Sequence, residues 1–544
     1  MNPTITARQI AIYSAGAVAF VCLFVYLRAL SCDFVNFDDP YYIIDNPVIR
    51  KFNPQMLVSV FTETHAGWWM PLTWISFAAD YHFWGLDPKG YHLTNILLHA
   101  ANSAIVVLIA ARILALSPGK EEKDLFRTCM PLLAGLIFAI HPLRVESVVW
   151  VTERKDVLNG IFSLGSVYCY LLFAGEKMAG KTGKKVICLY LFSLTLFTLS
   201  LMAKPVSVVI PALLLLLDWS PLQRFGAKCN TAVIAEKIPF MIISAAMIIV
   251  TIMTSLGKEG FFVATSDLSF PLRILVAGNS VIEYCRLMVL PVGILPLYVL
   301  DPVITYPFVI KTVLAIVFTA CAVLLVRRKP LVLTIWLSFI IPLLPVLGFL
   351  QNGDQSHAAR FTYLPSVGPS IAVAAFCASA GRQATGRRKA LSHVIILFIG
   401  CTFIFYAWMS LRLIDVWHDT GTLWSRVIDS KPMGRAYRER GFFYLSTGRY
   451  AEAISDFTTA LDIAANLQRN DIFNLYAYRG EALRKKGLYE EAISDFRMAI
   501  ALKPHPRYYY RLGLALREAG KVTEAAENFR LAGNDNGPIE WFTP

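Results

Sequence analysis

The chain has 544 residues, of which 56% are hydrophobic and 16% charged, with a formal net charge of +13 and a mean hydropathy of +0.53. A soluble globular chain is about a quarter charged, so a soluble enzyme, a disordered chain and a disulfide scaffold are excluded. Apolar runs of bilayer-crossing length, about 20 residues each, continue to about residue 412 and then stop.

The first run extends from Ile10 to about Leu30. It is long for a signal-peptide core, and Arg28-Ala-Leu-Ser-Cys32 is a poor cleavage site, so it reads as a retained span. Ten more lie near 93–116, 131–149, 157–175, 186–202, 206–219, 238–256, 305–326, 331–350, 364–380 and 391–412, which makes eleven. Residues 413–544 carry 18 basic and 17 acidic side chains, a net of +1, and residues 1–412 carry 33 and 21, a net of +12. The basicity belongs to the membrane part and sits in short loops, as topology-setting charge does. Nucleic-acid binding would need a basic soluble face with base-reading chemistry, and none is present.

Nineteen of those 33 basic residues cluster on alternate loops: Arg8; Arg112 to Arg127; Lys177 to Lys185; Arg224 to Lys237; Arg327 to Lys329; and Arg382 to Lys389. The positive-inside rule makes that side cytoplasmic. The N-terminus is then inside. Segments 31–92, 150–156, 203–205, 257–304 and 351–363, and the C-terminal tail, are outside. The apolar stretch 271–300 tests the scheme, because a single span there would place Arg327–Lys329 outside. It carries Arg273, Asn279, Glu283 and Arg286, so an outer-face or re-entrant helix is cheaper than a hidden helix pair. Of ten cysteines none forms a CxxC and none lies in the tail, which speaks against a zinc site and fits an oxidising compartment.

The tail repeats. Gly441, Tyr444, Gly448, Ala453, Phe457 and Ala460 recur as Gly480, Leu483, Gly487, Ala492, Phe496 and Ala499, and again as Gly513, Leu516, Gly520, Ala525, Phe529 and Ala532. These intervals of 39 and 33 residues bracket the 34-residue tetratricopeptide period, with an insertion around 464–470 and a half repeat at 424–432. Such arrays present a concave surface to extended segments or helices. The predicted fold is all-α: a polytopic membrane domain over 1–412, then a soluble tetratricopeptide α-solenoid of about three repeats over 413–544.

Polar groups near lipid are costly and mark function. Asp38-Asp39, between aromatics just after the first span, can hold a proton or a divalent cation or serve as general base toward a hydroxyl. It can equally be a turn before Pro40. His141, Arg144, Glu146, Glu153, Arg154, Lys155 and Asp156 crowd one short outer loop. Arg and Lys there suit a phosphate headgroup, although Glu153 and Asp156 can also neutralise Arg154 and Lys155. Lys204, before Pro205, and Arg360, near Tyr363, are isolated cations at headgroup depth that can instead snorkel. Together these groups describe transfer from a lipid-linked phosphate donor.

Asp38-Asp39, HPLRVESVVWVTERKDVLN at 141–159, AKPVSVVIPALLLLLDWSPLQR at 203–224, ARFTYLPSVG at 359–368 and the repeat tail together resemble the tetratricopeptide-bearing membrane glycosyltransferases of the GT-C fold. The pattern is similar to the transmembrane and tetratricopeptide O-mannosyltransferases of animals and their bacterial counterparts. The resemblance covers nearly the whole chain. It implies a polyprenyl-phosphate sugar as donor, Asp38 as base with Asp39 its partner, and Arg154, Lys204 and Arg360 at the donor phosphate, to which the outer-loop cluster adds Lys155. His141, Glu146 and Tyr363 are further site candidates. The related enzymes usually have Asp-Glu where this chain has Asp38-Asp39. The expected protein is an inverting enzyme of a bacterial inner membrane with a periplasmic tail, which passes a sugar, mannose among the candidates, to a protein or glycan hydroxyl. The rival readings are a membrane-anchored scaffold for an envelope complex and a lipid-linked sugar transporter.

Overall fold

The computed structural model describes residues 6–116, 125–225, 231–256, 269–300, 305–348, 355–383, 389–466 and 472–533. Lys120, Lys123, Lys228, Arg387 and Arg388 of the basic clusters lie outside these residues. So do 351–354 of the last outer loop and 467–470 of the insertion. The chain divides into two compact units. One is Met1–Cys32 with Tyr42–Asp415, the other Asp33–Tyr41 with Val416–Pro544. The sequence division at 412 is therefore amended in one respect: residues 33–41, counted there with the membrane part, pack with the repeats.

Among the described residues each of the eleven apolar runs is mainly helical. Among the described residues seven helices are long and apolar enough to cross a membrane alone: Ala7–Ser31, Pro88–Leu116, Val151–Met178, Lys184–Ala203, Thr231–Thr254, Tyr306–Leu324 and Ile396–Val416. An eighth run is a pair, Thr128–Ile140 and Pro142–Val149, bent by 54°. Three more, Pro205–Trp219, Pro330–Val346 and Val367–Ser379, are shorter apolar helices. The protein is a multi-pass, all-α membrane protein. Prolines set several of the boundaries, because the residue before a proline is pushed out of the helical region: His141 has ψ 131° and Lys204 ψ 127°.

Five helices of this unit position its buried charges: α1 (Ala7–Tyr26), α2 (Pro88–Leu116), α3 (Leu125–Ile140), α4 (Arg154–Met178) and α5 (Lys184–Ala203). The 271–300 stretch holds one uninterrupted 20-residue helix, α6 (Phe270–Val289), and not a pair. Its Glu283 binds Arg286 at 2.8 Å and Lys311 at 2.5 Å. Beyond it β1 (Tyr298–Val299) pairs antiparallel with β2 (Gln355–His357). Helices α7 (Val367–Gln383) and α8 (Lys389–Val416) close the unit.

In the second unit α9 (Thr420–Ser430) precedes three helix pairs, α10 (Gly434–Ser446) with α11 (Tyr450–Asn466), α12 (Ile472–Lys486) with α13 (Tyr489–Leu502), and α14 (Pro506–Glu518) with α15 (Val522–Ala532). Each repeat glycine admits the aromatic of its partner helix. A Cβ on Gly441 would meet Phe457 Cε1 at 2.8 Å, and one on Gly513 would meet Phe529 Cε1 at 2.7 Å. The turn glycines Gly448, Gly487 and Gly520 have φ of 78°, 87° and 81°, a left-handed conformation that other residues rarely adopt. A second repeated contact escaped the sequence reading. Arg440 grips both oxygens of Asp456, and Arg479 both oxygens of Asp495, each at 2.8 Å. The hydrogen bonds to these carboxylates raise the pKa of both guanidinium groups.

Candidate functional site

The cations predicted to meet a phosphate gather in the first unit, where helix ends converge. Pro205 ends α5 and leaves Lys204 at its C-cap. The polar residues Asp156, Asn159 and Ser163 fall at i, i+3 and i+7 of α4 and so share a face. Asn159 Nδ2 donates to the carbonyls of Ser200 (2.8 Å) and Lys204 (2.9 Å), which holds the turn carrying Lys204 against α4. Lys204 Nζ then lies 2.5 Å from Asp156 Oδ1 and 3.1 Å from Glu153 Oε2.

Glu153 is the hub. Its Oε1 lies 3.2 Å from Lys155 Nζ and 3.2 Å from Arg360 Nε. Arg360 also pairs with Glu146 through Nη1, its amide donates to Glu146 Oε2 at 3.1 Å, and its Nη2 donates to Gln355 Oε1 at 2.9 Å. The indole of Trp150 underlies both cations, 5.2 Å from the Arg360 guanidinium and 5.7 Å from Lys155 Nζ. All of these side chains are buried or nearly so. Lys204 and Arg360 therefore do not snorkel; they are neutralised in place, as buried charges must be.

Arg154 belongs to a different pairing. It donates to Ser76 Oγ at 2.7 Å, to the Tyr91 carbonyl at 2.8 Å and to Asn95 Oδ1, and bridges to Asp80 Oδ2 at 2.5 Å. Its pairing with Glu153 or Asp156, an option on the sequence, is not formed. The guanidinium is fully buried and fastens α2 and the Pro71–Trp84 helix to the start of α4.

The segments 141–146 and 359–363 cross. Arg144, at the end of the short helix Pro142–Arg144, donates from Nη2 to Thr362 Oγ1 at 2.7 Å. His141 caps that helix, accepting from the Leu143 amide at 3.2 Å, and its Nε2 lies 3.1 Å from the Met288 carbonyl. Tyr363 OH bonds His99 Nδ1 at 2.8 Å and Asn102 Nδ2 at 2.9 Å. Of the three further candidates, Glu146 thus joins the ionic cluster, while His141 and Tyr363 make uncharged bonds beside it.

The acid pair lies in the second unit. Asp39 is fully buried, and its Oδ2 accepts the Val35 amide at 2.9 Å. Asp38 is half-buried in a turn and makes no hydrogen bond or ion pair among the described residues. The loop is fixed by Asn36. Its amide donates to Thr420 Oγ1 at 3.0 Å, its Nδ2 to the Glu439 carbonyl and Oε2 at 3.1 Å each, and its Oδ1 accepts Trp424 Nε1 at 2.8 Å. The Phe37 ring packs 5.5 Å from that of Trp424. No group of three or more His, Cys, Asp or Glu side chains is arranged to hold a metal among the described residues.

Reasoning from the sequence missed Asp80, Asn95 and Thr362 as partners of the arginines, and Asn36 and Trp424 as supports of the acid pair. Only Asn36 had a local signal, its place in the motif. The others act across long stretches of chain.

The tetratricopeptide repeat family matches residues 432–505 and, in a second form, 479–537. Protein O-mannosyl-transferase tmtc2 of Xenopus laevis is 35% identical over 159 residues, 27% of this chain and 17% of its own length. Protein O-mannosyl-transferase Tmtc1 of Drosophila melanogaster is 32% identical over 181 residues, 32% of this chain and 18% of its own. Human Protein O-mannosyl-transferase TMTC2 is 34% identical over 157 residues, 27% and 17%. The matches thus span less than a fifth of the length of these relatives. Among solved structures, ArnT from Cupriavidus metallidurans bound to undecaprenyl phosphate aligns over 95% of this chain and 88% of its own, with 12% identity and a TM-score of 0.34.

Proposed function

We propose that this protein is an inverting membrane glycosyltransferase of the GT-C type that moves a sugar from a polyprenyl-phosphate donor to a hydroxyl of an envelope acceptor. The similarity to the named O-mannosyl-transferases carries the reading. The division of the acid pair supports it: Asp39 is held by the backbone, while Asp38 has a carboxylate to spare.

In this account Asp38 takes the proton of the acceptor hydroxyl. The hydroxyl oxygen bonds to the anomeric carbon from the face opposite the phosphate, the carbon–oxygen bond to the phosphate breaks, and polyprenyl phosphate leaves with the electron pair. Lys155, Lys204 and Arg360 meet the charge that develops on the phosphate, in a water-poor setting where such interactions are strong. Arg154 supports the cluster through α4. The repeat surface takes the acceptor. The distribution of loop charge supports a cytoplasmic N-terminus and a tail on the opposite face of the membrane, which in a bacterial inner membrane is the periplasm.

The test is sugar release by purified protein in nanodiscs from a panel of radiolabelled polyprenyl-phosphate sugars. Acceptor-dependent release from one donor supports the reading. No release from any intact donor opposes it and favours a scaffold.

A further inference from the structure

Charge is sorted between the two helices of each repeat. The first helices, α10, α12 and α14, carry ten basic and three acidic side chains, a net of +7. The second helices, α11, α13 and α15, carry two basic and eight acidic, a net of −6. Part of this difference is neutralised within the array. Arg440 and Arg479 hold Asp456 and Asp495 on the second helices. Arg484 and Arg511 share Glu481, and Arg484 also reaches Glu518. Arg435 and Arg507 stay unneutralised: neither side chain makes a hydrogen bond or ion pair among the described residues, and both are half-buried.

Helix energetics does not account for these two arginines. They occupy equivalent positions of the first and third repeats, six residues before Gly441 and Gly513, and each is the second residue of its helix. A cation there opposes the positive end of the helix dipole, whereas Lys485 and Lys486 in the last turn of α12 complement the negative end. The first helices approach one another more closely along the array than the second helices do. They therefore form its inner face, the one such arrays present to extended segments. Arg438 on α10 and Arg507 on α14 both lie within electrostatic reach of the buried Tyr478 hydroxyl of α12, so they face a common space. Arg435, Arg438 and Asp38 all lie within such reach of the Tyr41 hydroxyl, and the Arg435 guanidinium is 5.4 Å from the Phe37 ring. The acid on this row, Glu439, is taken by Arg438 and Asn36. A cationic row thus runs along the inner face to the loop that carries Asp38, all of it within the second unit.

We propose that the inner face of the repeats binds an acidic, extended segment of a protein chain, with its carboxylates on Arg435, Arg438 and Arg507 and a hydroxyl-bearing residue toward Asp38. A carboxylate neutralises what the repeats leave charged, and the guanidinium fork matches its two oxygens. The proposal gives the acceptor a chemistry. Its link to transfer rests on the function proposed above; the binding itself does not.

The experiment is fluorescence anisotropy of a labelled Asp/Glu/Ser peptide with the full chain in nanodiscs, beside its Asn/Gln/Ser counterpart and with polygalacturonate as competitor. The acidic peptide should bind at least about tenfold more tightly than the neutral one, and less tightly as salt rises. Arg435→Gln and Arg507→Gln should each weaken it about two- to fivefold, the worth of one partly exposed ion pair, and together about tenfold. Arg497→Gln, on α13 and paired with Glu524, should leave binding unchanged. Thermal unfolding confirms that each variant is folded. Four results overturn the proposal: equal binding of the two peptides, unchanged affinity in the folded double variant, an equal loss in Arg497→Gln, or polygalacturonate displacing the peptide as well as unlabelled peptide does. Sugar transfer measured beside it keeps the two claims apart. Equal transfer to acidic and neutral serine peptides defeats the acceptor assignment alone, and acidic-peptide binding without transfer from any intact donor defeats the enzyme reading alone.

Discussion

Asn36 Oδ1 accepts the indole N–H of Trp424 at 2.8 Å, across 388 residues of chain. The loop that carries Asp38 and Asp39 is thereby fastened to α9, the helix that precedes the repeats. Asn36 also reaches Glu439 on α10. Asn36→Ala should strand the fully buried Trp424 N–H, at about 1–3 kcal/mol. Limited proteolysis of the full chain should cut the repeat unit faster in this variant. Under the proposed function sugar transfer should fall with little change in donor KM, because the base and not the donor site is loosened. Unchanged protease resistance would show that the bond does not secure the loop.

Glu153 serves Lys155, Lys204 and Arg360 at once. Glu153→Gln leaves those cations undercompensated and should destabilise the membrane unit by about 3–5 kcal/mol. Adding Lys204→Met should recover part of that loss, since it removes one of the stranded charges. Thermal unfolding of the single and double variants in one detergent measures the coupling, and strictly additive effects would show that the pair does not interact.

The repeat glycines differ in how tightly they are packed. A Cβ at Gly513 would come within 2.7 Å of Phe529, and one at Gly480 only within 3.3 Å of Phe496. Gly513→Ala should cost about 1–3 kcal/mol through overpacking, and Gly480→Ala clearly less. Hydrogen exchange in α14 and α15, compared with α12 and α13 in the matching variants, checks the order.

His357 in β2 is stacked on Tyr298 with ring centroids 4.1 Å apart, and burial lowers its pKa from 6.5 to about 4. Glu283 opposes this shift and Lys311 and Arg286 add to it. The unfolded strand takes a proton below about 6.5 and the folded one resists it. Stability from this group is therefore whole above that pH and is lost as pH falls toward 4. Exchange of the β1 and β2 amides, corrected for intrinsic rates, should quicken between pH 7 and 5, and His357→Gln should flatten the trend.

The parts of the fold that depend on local pattern were legible in the sequence. Apolar runs need only length, and the Gly441–Phe457 contact and its two copies recur at a period that can be counted. What the sequence hid was partner choice. Arg154 passes over Glu153 and Asp156, its neighbours in the chain, for Asp80 on another helix, and Glu146 reaches Arg360 across 214 residues. That no carboxylate among the described residues pairs with Arg144 emerges only once those pairs are drawn. The membership of 33–41 in the repeat unit follows from Asn36 and Phe37 meeting Trp424. No periodicity announces that contact.

The most direct measurement is transfer by Asp38→Asn beside Asp39→Asn, each compared with wild type on the active donor, with folding checked by thermal unfolding. The account predicts that Asp38→Asn keeps the wild-type melting temperature and loses roughly 10²–10⁴-fold in rate. Asp39→Asn, which weakens the bond to the Val35 amide, should lower stability first. Full transfer by a folded Asp38→Asn protein would contradict the assignment of the base and, with it, the central claim.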